Sequence, residues 1–292
     1  LRFHFVVAAH LVSALHSSVF ARLASGAFYE TIVLVIFYAI IKNLGEKSRL
    51  QREENGKMKI MVINPNTSES MTDHIRKEVE KIKRSDTSLT VVCPSKGPET
   101  IESAYDEAYA IPPTLELVKE ANQEGYDAVI LACFSDPGLE AAKEVSSIPV
   151  VGIEESTLHL AAMLGARFSI MTPRKTRIPM RTEHVHIRGL GHFLASVRSL
   201  DLSVADTDRY PEKTKQRVFE VAQKAVEEDG AEVIILGCAG MAGYAPELEA
   251  KLNIKVLDPT AVALKVAEAM VDLGLTHSKR AMFAFPPEKI FK

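Results

Sequence analysis

Two cysteines close two look-alike stretches of this chain. "GYDAVILACFSDPG" (residues 125–138) carries four consecutive apolar residues into Cys133 and then a Ser-Asp-Pro-Gly turn. "GAEVIILGCAGMAG" (residues 230–243) does the same with Cys238. Each reads as a buried strand that delivers a thiol to a turn, and open α/β sheets hold ligands at the carboxyl ends of their strands. A free thiol titrates near ~8.5, and a following helix N-terminus lowers that value. Ser135-Asp136-Pro137-Gly138 and Ala239-Gly240-Met241 read as helix entries. They predict thiols shifted toward neutrality, beside backbone N–H groups that suit a thiolate or an enolate oxygen. One thiolate can remove a proton from carbon while the opposite thiol delivers one to the other face, which inverts the stereocentre. The competing reading, two small buried hydrophobes, is weakened because the positions are equivalent in a repeat. Cys93 has no such counterpart, since "VRSLDLSV" (Val197–Val204) supplies the comparable strand without a thiol, and it reads as packing.

The elements that must position these thiols form a duplicated series. "KIMVIN" (Lys59–Asn64) reads as a first strand. A helix follows over residues 66–84, with Met71, Ile75, Val79 and Ile82 at helical spacing and Thr67 or Ser68 as its cap. "LTVVCP" (Leu89–Pro94) is a second strand, and "PPTLELVKEANQEG" (Pro112–Gly125) a helix opened by proline and closed by glycine. "DAVILAC" and "PVVGI" are strands separated by a helix over residues 141–145. The series then restarts. "RFSIMTPRKT" aligns with "KIMVINPNT", "GAEVIILGC" with "GYDAVILAC" and "NIKVLDP" with "SIPVVGI", at offsets of 105 to 108 residues. The expected fold is α/β: two similar parallel-sheet βα halves related by pseudo-twofold symmetry, with the active site in the cleft between them. The halves span residues 58–165 and 166–259, and a C-terminal helix over 260–275 joins the first.

Composition is that of a globular protein, with 47% hydrophobic and 25% charged residues. A net charge of −3 gives no reason to expect nucleic acid as a partner. Three scattered cysteines fit neither a disulfide scaffold nor a zinc ribbon, and point to reduced thiols in a cytoplasmic protein. Residues 1–57 stand apart, with a formal charge of +3 against −6 for the remainder. Their apolar run Thr31–Ile41 is short of the ~20 residues that a spanning helix needs. A compact pattern opens abruptly at Met58. This segment is therefore expected to be an upstream extension that is not native, the alternative being a weak membrane anchor. No other membrane contact is expected.

Other signals carry less. "EHVH" (Glu183–His186) would place His184 and His186 on one strand face, but lacks further metal-ligand spacing. "PRKTRIPMR" (Pro173–Arg181) reads as a solvated basic loop rather than an anion clamp, although it lies opposite the N-P-N-T turn. No Walker sequence, dinucleotide fingerprint or G-x-S-x-G elbow is present.

"INPNTS", "GPETIES" (Gly97–Ser103), "ACFSDPGL" (Ala132–Leu139), "GIEES" (Gly152–Ser156) and "LGCAGM" (Leu236–Met241), in this order, resemble the hydantoin racemase family of the Asp/Glu racemase superfamily, which includes allantoin racemases. The resemblance runs from Met58 to about Gly274. It implies a racemase that uses Cys133 and Cys238 as paired acid and base, with no cofactor, neither pyridoxal phosphate nor metal. It also implies a pocket lined by Asn64, Thr100, Ile101, Phe134 and Ala239, with Glu155 at an acidic position. An Asn amide suits the alternating N–H and C=O edge of a hydantoin ring. The partner is a small-molecule substrate, and a homo-oligomer is the default assembly. The alternatives are an Asp/Glu-type amino-acid racemase or maleate-type isomerase, and a non-catalytic ligand-binding protein. Dicarboxylates would need more cationic anchoring than the matched positions offer.

Overall fold

The computed structural model describes residues 57–287, so the expectations for the segment before Lys57 lie outside the described residues. Among the described residues no helix is long and apolar enough to cross a membrane.

Two four-stranded parallel sheets form the frame. The first contains β1 (Met58–Ile63), β2 (Thr87–Val92), β3 (Ala128–Leu131) and β4 (Val150–Gly152). The second contains β5 (Phe168–Thr172), β6 (Leu194–Ser199), β7 (Val233–Leu236) and β8 (Lys255–Leu257). Their orders, β2-β1-β3-β4 and β6-β5-β7-β8, are the same when counted within each half. The fold is thus α/β and duplicated, as the repeat predicts. Strands β3 and β7 read as continuous apolar runs because each is buried along its whole length.

Helices cover these sheets. The first half has α1 (Glu69–Ile82), α2 (Ala104–Gln123), α3 (Leu139–Val145) and α4 (Ile153–Leu164). The second has α5 (Ile178–Ile187), α6 (Val204–Arg209), α7 (Pro211–Asp229) and α8 (Ala245–Leu252), and α9 (Pro259–Asp272) follows. Ser68 caps α1 through Met71 N–H; of the predicted stripe, Met71, Ile75 and Val79 are buried, while Ile82, at the last position of the helix, is exposed. One hydrophobic cluster runs through both halves, from Ile60, Val62 and Ile130 to Phe168, Ile170 and Ile235. Each such side chain contributes about 1.5–3 kcal/mol by leaving water. Helix α9 packs on β1, β3, β4, α1 and α4, where Ala263, Leu264 and Ala267 are fully buried.

Three local expectations are corrected. Helix α2 begins at Ala104, capped by Ser103, and runs through Pro112 and Pro113 instead of starting there. The two prolines withdraw N–H donors from the carbonyls of Ala108 and Tyr109. Both of those residues are exposed, so the lost bonds lie on the solvent side of the helix. The Thr114 hydroxyl bonds the next carbonyl, that of Ala110, at 2.8 Å. Strand β6 ends at Ser199 rather than Val204, because Ser203 and Asp206 form a capping box that opens α6. "EHVH" lies in α5, not in a strand.

Candidate active site

Each thiol lies two residues past the end of an interior strand, Cys133 after β3 and Cys238 after β7. Equivalent backbone bonds fix them. Ala132 N–H donates to the Ile63 carbonyl at 2.8 Å, and Gly237 N–H donates to the Met171 carbonyl at 2.8 Å. Glycine is required at 237, since a Cβ would come 2.7 Å from the Met171 oxygen. Beyond Cys133 the turn is held by Ser135 and Asp136 N–H groups, both donating to the Cys133 carbonyl. Asp136 adopts the left-handed backbone (φ 46°), and its carboxylate accepts from Glu154 and Glu155 N–H, at 3.0 and 2.7 Å. That carboxylate ties the thiol-bearing turn to the first turn of α4.

Both sulfurs line one cavity between the halves, of about 480 Å³ counting the solvent at its mouth. Ile101, Phe134 and Ala239 line it with them, so five of the eight residues singled out from the sequence meet at one place. Asn64, Thr100 and Glu155 are not among the lining residues. Asn64 is fully buried; its Nδ2 donates to Asn66 Oδ1 (2.8 Å) and Thr72 Oγ1 (3.0 Å), while its Oδ1 has no partner among the described residues. Asn66, two residues along the same N-P-N-T motif, reaches the cavity instead. Thr100 is half-buried beside Ile101, and Glu155 is paired with Lys143 Nζ at 2.6 Å.

The basic stretch is a correction. Arg174, Arg177 and Arg181 all line the cavity, and the side chains of Arg177 and Arg181 are 11% and 8% exposed, so it is not a solvated loop. Arg174 is extended, Arg177 ends a 3₁₀ turn and only Arg181 lies within α5, so the three converge through the bend of this segment rather than along one helical face. Glu102 accepts from Arg174 at 2.8 Å and Glu107 pairs with Arg177, each pair joining the start of α2 to the segment after β5. Arg181 Nη1 donates to Glu154 at 3.2 Å, and its guanidinium lies 5.1 Å from the Phe134 ring centre. His184 Nδ1 shares Glu154 at 2.7 Å. Among the described residues no group of three His, Cys, Asp or Glu side chains is arranged to hold a metal ion.

The thiol acidities also depart from expectation. Burial pushes Cys133 up to about 12, with the Ser135 hydroxyl at 3.5 Å and the Arg181 charge only partly opposing it. Helix α3 starts at Leu139, too far along the chain for its N-terminus to act on this sulfur. Cys238 immediately precedes a short 3₁₀ turn, Ala239–Met241. Burial still raises it, against the Gly240 N–H and the Thr207 hydroxyl 3.8 Å away. Cys93 is half-buried and its thiol is likewise raised by burial. Desolvation thus raises both cavity thiols and disfavours the thiolate of each.

Residues 60–267 match the Asp/Glu/Hydantoin racemase family. A hydantoin racemase of Pseudomonas sp. (strain NS671) is 44% identical over 232 residues, 80% of this chain and 93% of its own. A hydantoin racemase of Paenarthrobacter aurescens is 38% identical, over 80% of this chain and 99% of its own. The solved allantoin racemase from Klebsiella pneumoniae superposes with a TM-score of 0.79 at 36% identity, covering 81% of this chain and 96% of that one. With a match across most of its length, and with the duplicated sheets already described, the chain belongs to the Asp/Glu/Hydantoin racemase family and is an isomerase of the racemase kind.

Proposed function

We propose that this chain racemises 5-monosubstituted hydantoins or allantoin by 1,1-proton transfer between Cys133 and Cys238, without a cofactor. The observation that carries the reading is the pair of thiols at equivalent strand ends, both lining one cavity. In each turnover the thiolate of one cysteine takes the proton from C5, and the C–H electron pair moves into the adjacent carbonyl. The opposite thiol then gives its proton to the other face of C5, the electron pair returns from oxygen to carbon, and the two sulfurs exchange roles. Ile101, Phe134 and Ala239 form part of the wall around the ring, and Asn66 takes the place in that wall first assigned to Asn64.

The presence of three arginines in the wall gives a dicarboxylate amino acid more anchoring than the sequence offers. Arg174 and Arg177 are already paired with Glu102 and Glu107, however, which favours a neutral ring.

The test is polarimetric. The full chain is mixed with enantiopure 5-benzylhydantoin, enantiopure allantoin and, separately, L-aspartate and L-glutamate. Rotation of either heterocycle should decay to zero, and in D2O the enantiomer formed should carry deuterium at C5. Cys133→Ala and Cys238→Ala should each abolish the decay. Unaltered turnover in either variant overturns the two-thiol scheme, and decay confined to the amino acids moves the substrate to the dicarboxylates. Specific binding of the heterocycles without any decay would identify a ligand-binding protein.

A further inference from the structure

Arg181 stands out from the other arginines of the cavity. Its side chain is 8% exposed, close to the 11% of Arg177 and far below the 46% of Arg174, and it alone of the three has a buried donor without a partner among the described residues. A guanidinium carries five N–H donors. Among the described residues its one hydrogen bond runs from Nη1 to Glu154, and Nε is buried without a partner. Leaving a buried donor unmet costs about 1–3 kcal/mol, so a protein that retains one beside a reactive cavity has a use for the group. The guanidinium is held in place by two contacts of different kinds, one of them braced from behind. Glu154, itself fully buried, fixes one end, and His184 fixes Glu154. The Phe134 ring, next to Cys133, lies against the guanidinium. The positive charge acts on both Cys133 and Cys238, favouring the thiolate of each.

Proton loss from C5 of a hydantoin places negative charge on the neighbouring carbonyl oxygen, and that charge needs a preorganised donor in a dry site. Building on the racemase reading above, we infer that Arg181 is the donor that receives this carbonyl oxygen: its N–H groups bind the oxygen in the ground state and bind it more strongly as the enolate forms. The oxygen returns to a carbonyl when the opposite thiol reprotonates C5, so no proton is retained by Arg181. One fixed donor serves both directions, because the ring oxygen lies in the plane that the two thiols flank. Arg174 and Arg177, paired with Glu102 and Glu107 and without a buried donor left unmet, are not assigned this role.

Four full-length proteins test the assignment: the unaltered chain, Arg181→Gln, Arg181→Lys and Glu154→Gln. Removing one oxyanion donor lowers kcat by about 100-fold or more. Arg181→Gln is therefore expected to lose about that much kcat with a smaller change in KM. Arg181→Lys, which keeps the charge but not the planar fork, should recover part of the loss. Glu154→Gln disturbs the buried pair while leaving the guanidinium present. It should lose less kcat than Arg181→Gln, whereas a purely structural role predicts that the two fail alike. Binding of 5,5-dimethylhydantoin, which has no C5 proton to lose, is measured by calorimetry on all four. It reads the contact even where turnover is too slow, and should weaken in Arg181→Gln. If the unaltered chain racemises while Arg181→Gln keeps kcat and KM within twofold, the role of Arg181 is overturned and the racemase reading stands. If the unaltered chain neither racemises the heterocycles nor binds the dimethyl compound, both are overturned.

Discussion

The half-buried Cys133 thiol is pushed up to about 12 by desolvation, an unusual starting point for an acid–base pair. The two-thiol scheme needs one thiolate, and desolvation makes that form scarce in the free protein. The sign follows from the acid's own equilibrium. Below its raised pKa the thiolate fraction of Cys133 climbs tenfold for each unit of pH. Iodoacetamide labelling of Cys133 in the ligand-free protein is therefore expected to be slow at pH 7 and to rise about tenfold per unit to pH 10. A plateau near pH 8 would mean that the thiol is not desolvated as the fold indicates. The same shift makes a statement about stability. The folded-state pKa lies above the unfolded value of ~8.5, so this contribution is fully present below pH 8.5 and is lost as pH rises toward 12. The sequence pointed to the thiols through the repeat, yet misjudged their acidity. Strand and turn residues do not reveal that the helix after Cys133 starts as late as Leu139. Asn64 is a different case. The family resemblance implies a ligand contact there; its Nδ2 bonds Asn66 and Thr72 and Asn66 lines the cavity, while the buried Asn64 Oδ1 keeps an acceptor without a partner among the described residues.

The turn that presents Cys133 depends on Asp136. Its carboxylate bonds two N–H groups at the start of α4, and no glycine substitute in the turn could supply them. Gly152 must be small for the same reason, since a Cβ there would meet the Asp136 carboxylate at 2.3 Å. Asp136→Ala removes both acceptors and places alanine at φ 46°, where it is strained. The expected cost is about 1–2 kcal/mol, as for loss of a helix cap, read as a lower urea midpoint at unchanged slope. Asp136→Asn keeps an acceptor and tolerates the left-handed backbone, so it should lose less. Equal losses would show that the acceptor has no role in holding the turn. Element boundaries were legible where hydrophobic periodicity and capping residues agreed, as in α1 with Ser68. They were not where a local rule was overridden. Pro112 and Pro113 look like a helix start, but Ser103 caps the helix earlier and it continues through them, past the exposed Ala108 and Tyr109. Arg174, Arg177 and Arg181 line the cavity together, but the first is extended, the second ends a 3₁₀ turn and only the third lies in α5, so no helical spacing announced that wall.

Duplication explains how one cavity receives a thiol from each half, but not why the halves hold together. That role falls to the shared hydrophobic cluster and to α9, which follows the last strand of the second half and packs on the sheet of the first. Asp258 caps it by accepting from Thr260 and Ala261 N–H. Farther along, Glu268 accepts from Arg84 N–H and from the Thr87 hydroxyl, both at 2.9 Å, where α1 passes into β2. Leu264 is fully buried in the cluster that also contains Ile60, Ile130, Ile170 and Ile235, so it contacts a core common to both sheets. Removing its side chain should cost about 2–5 kcal/mol, depending on how far the site collapses. If α9 makes the halves one cooperative unit, Leu264→Ala lowers the temperature of a single calorimetric transition, and both cavity thiols become reactive to a bulky disulfide reagent in that same transition. Two separated transitions, with Cys133 exposed before Cys238, would show instead that each half is stable alone and that the racemase cavity is assembled from independent parts. The shared core argues for the single transition, because the apolar faces that surround the thiols are buried only while the halves are joined.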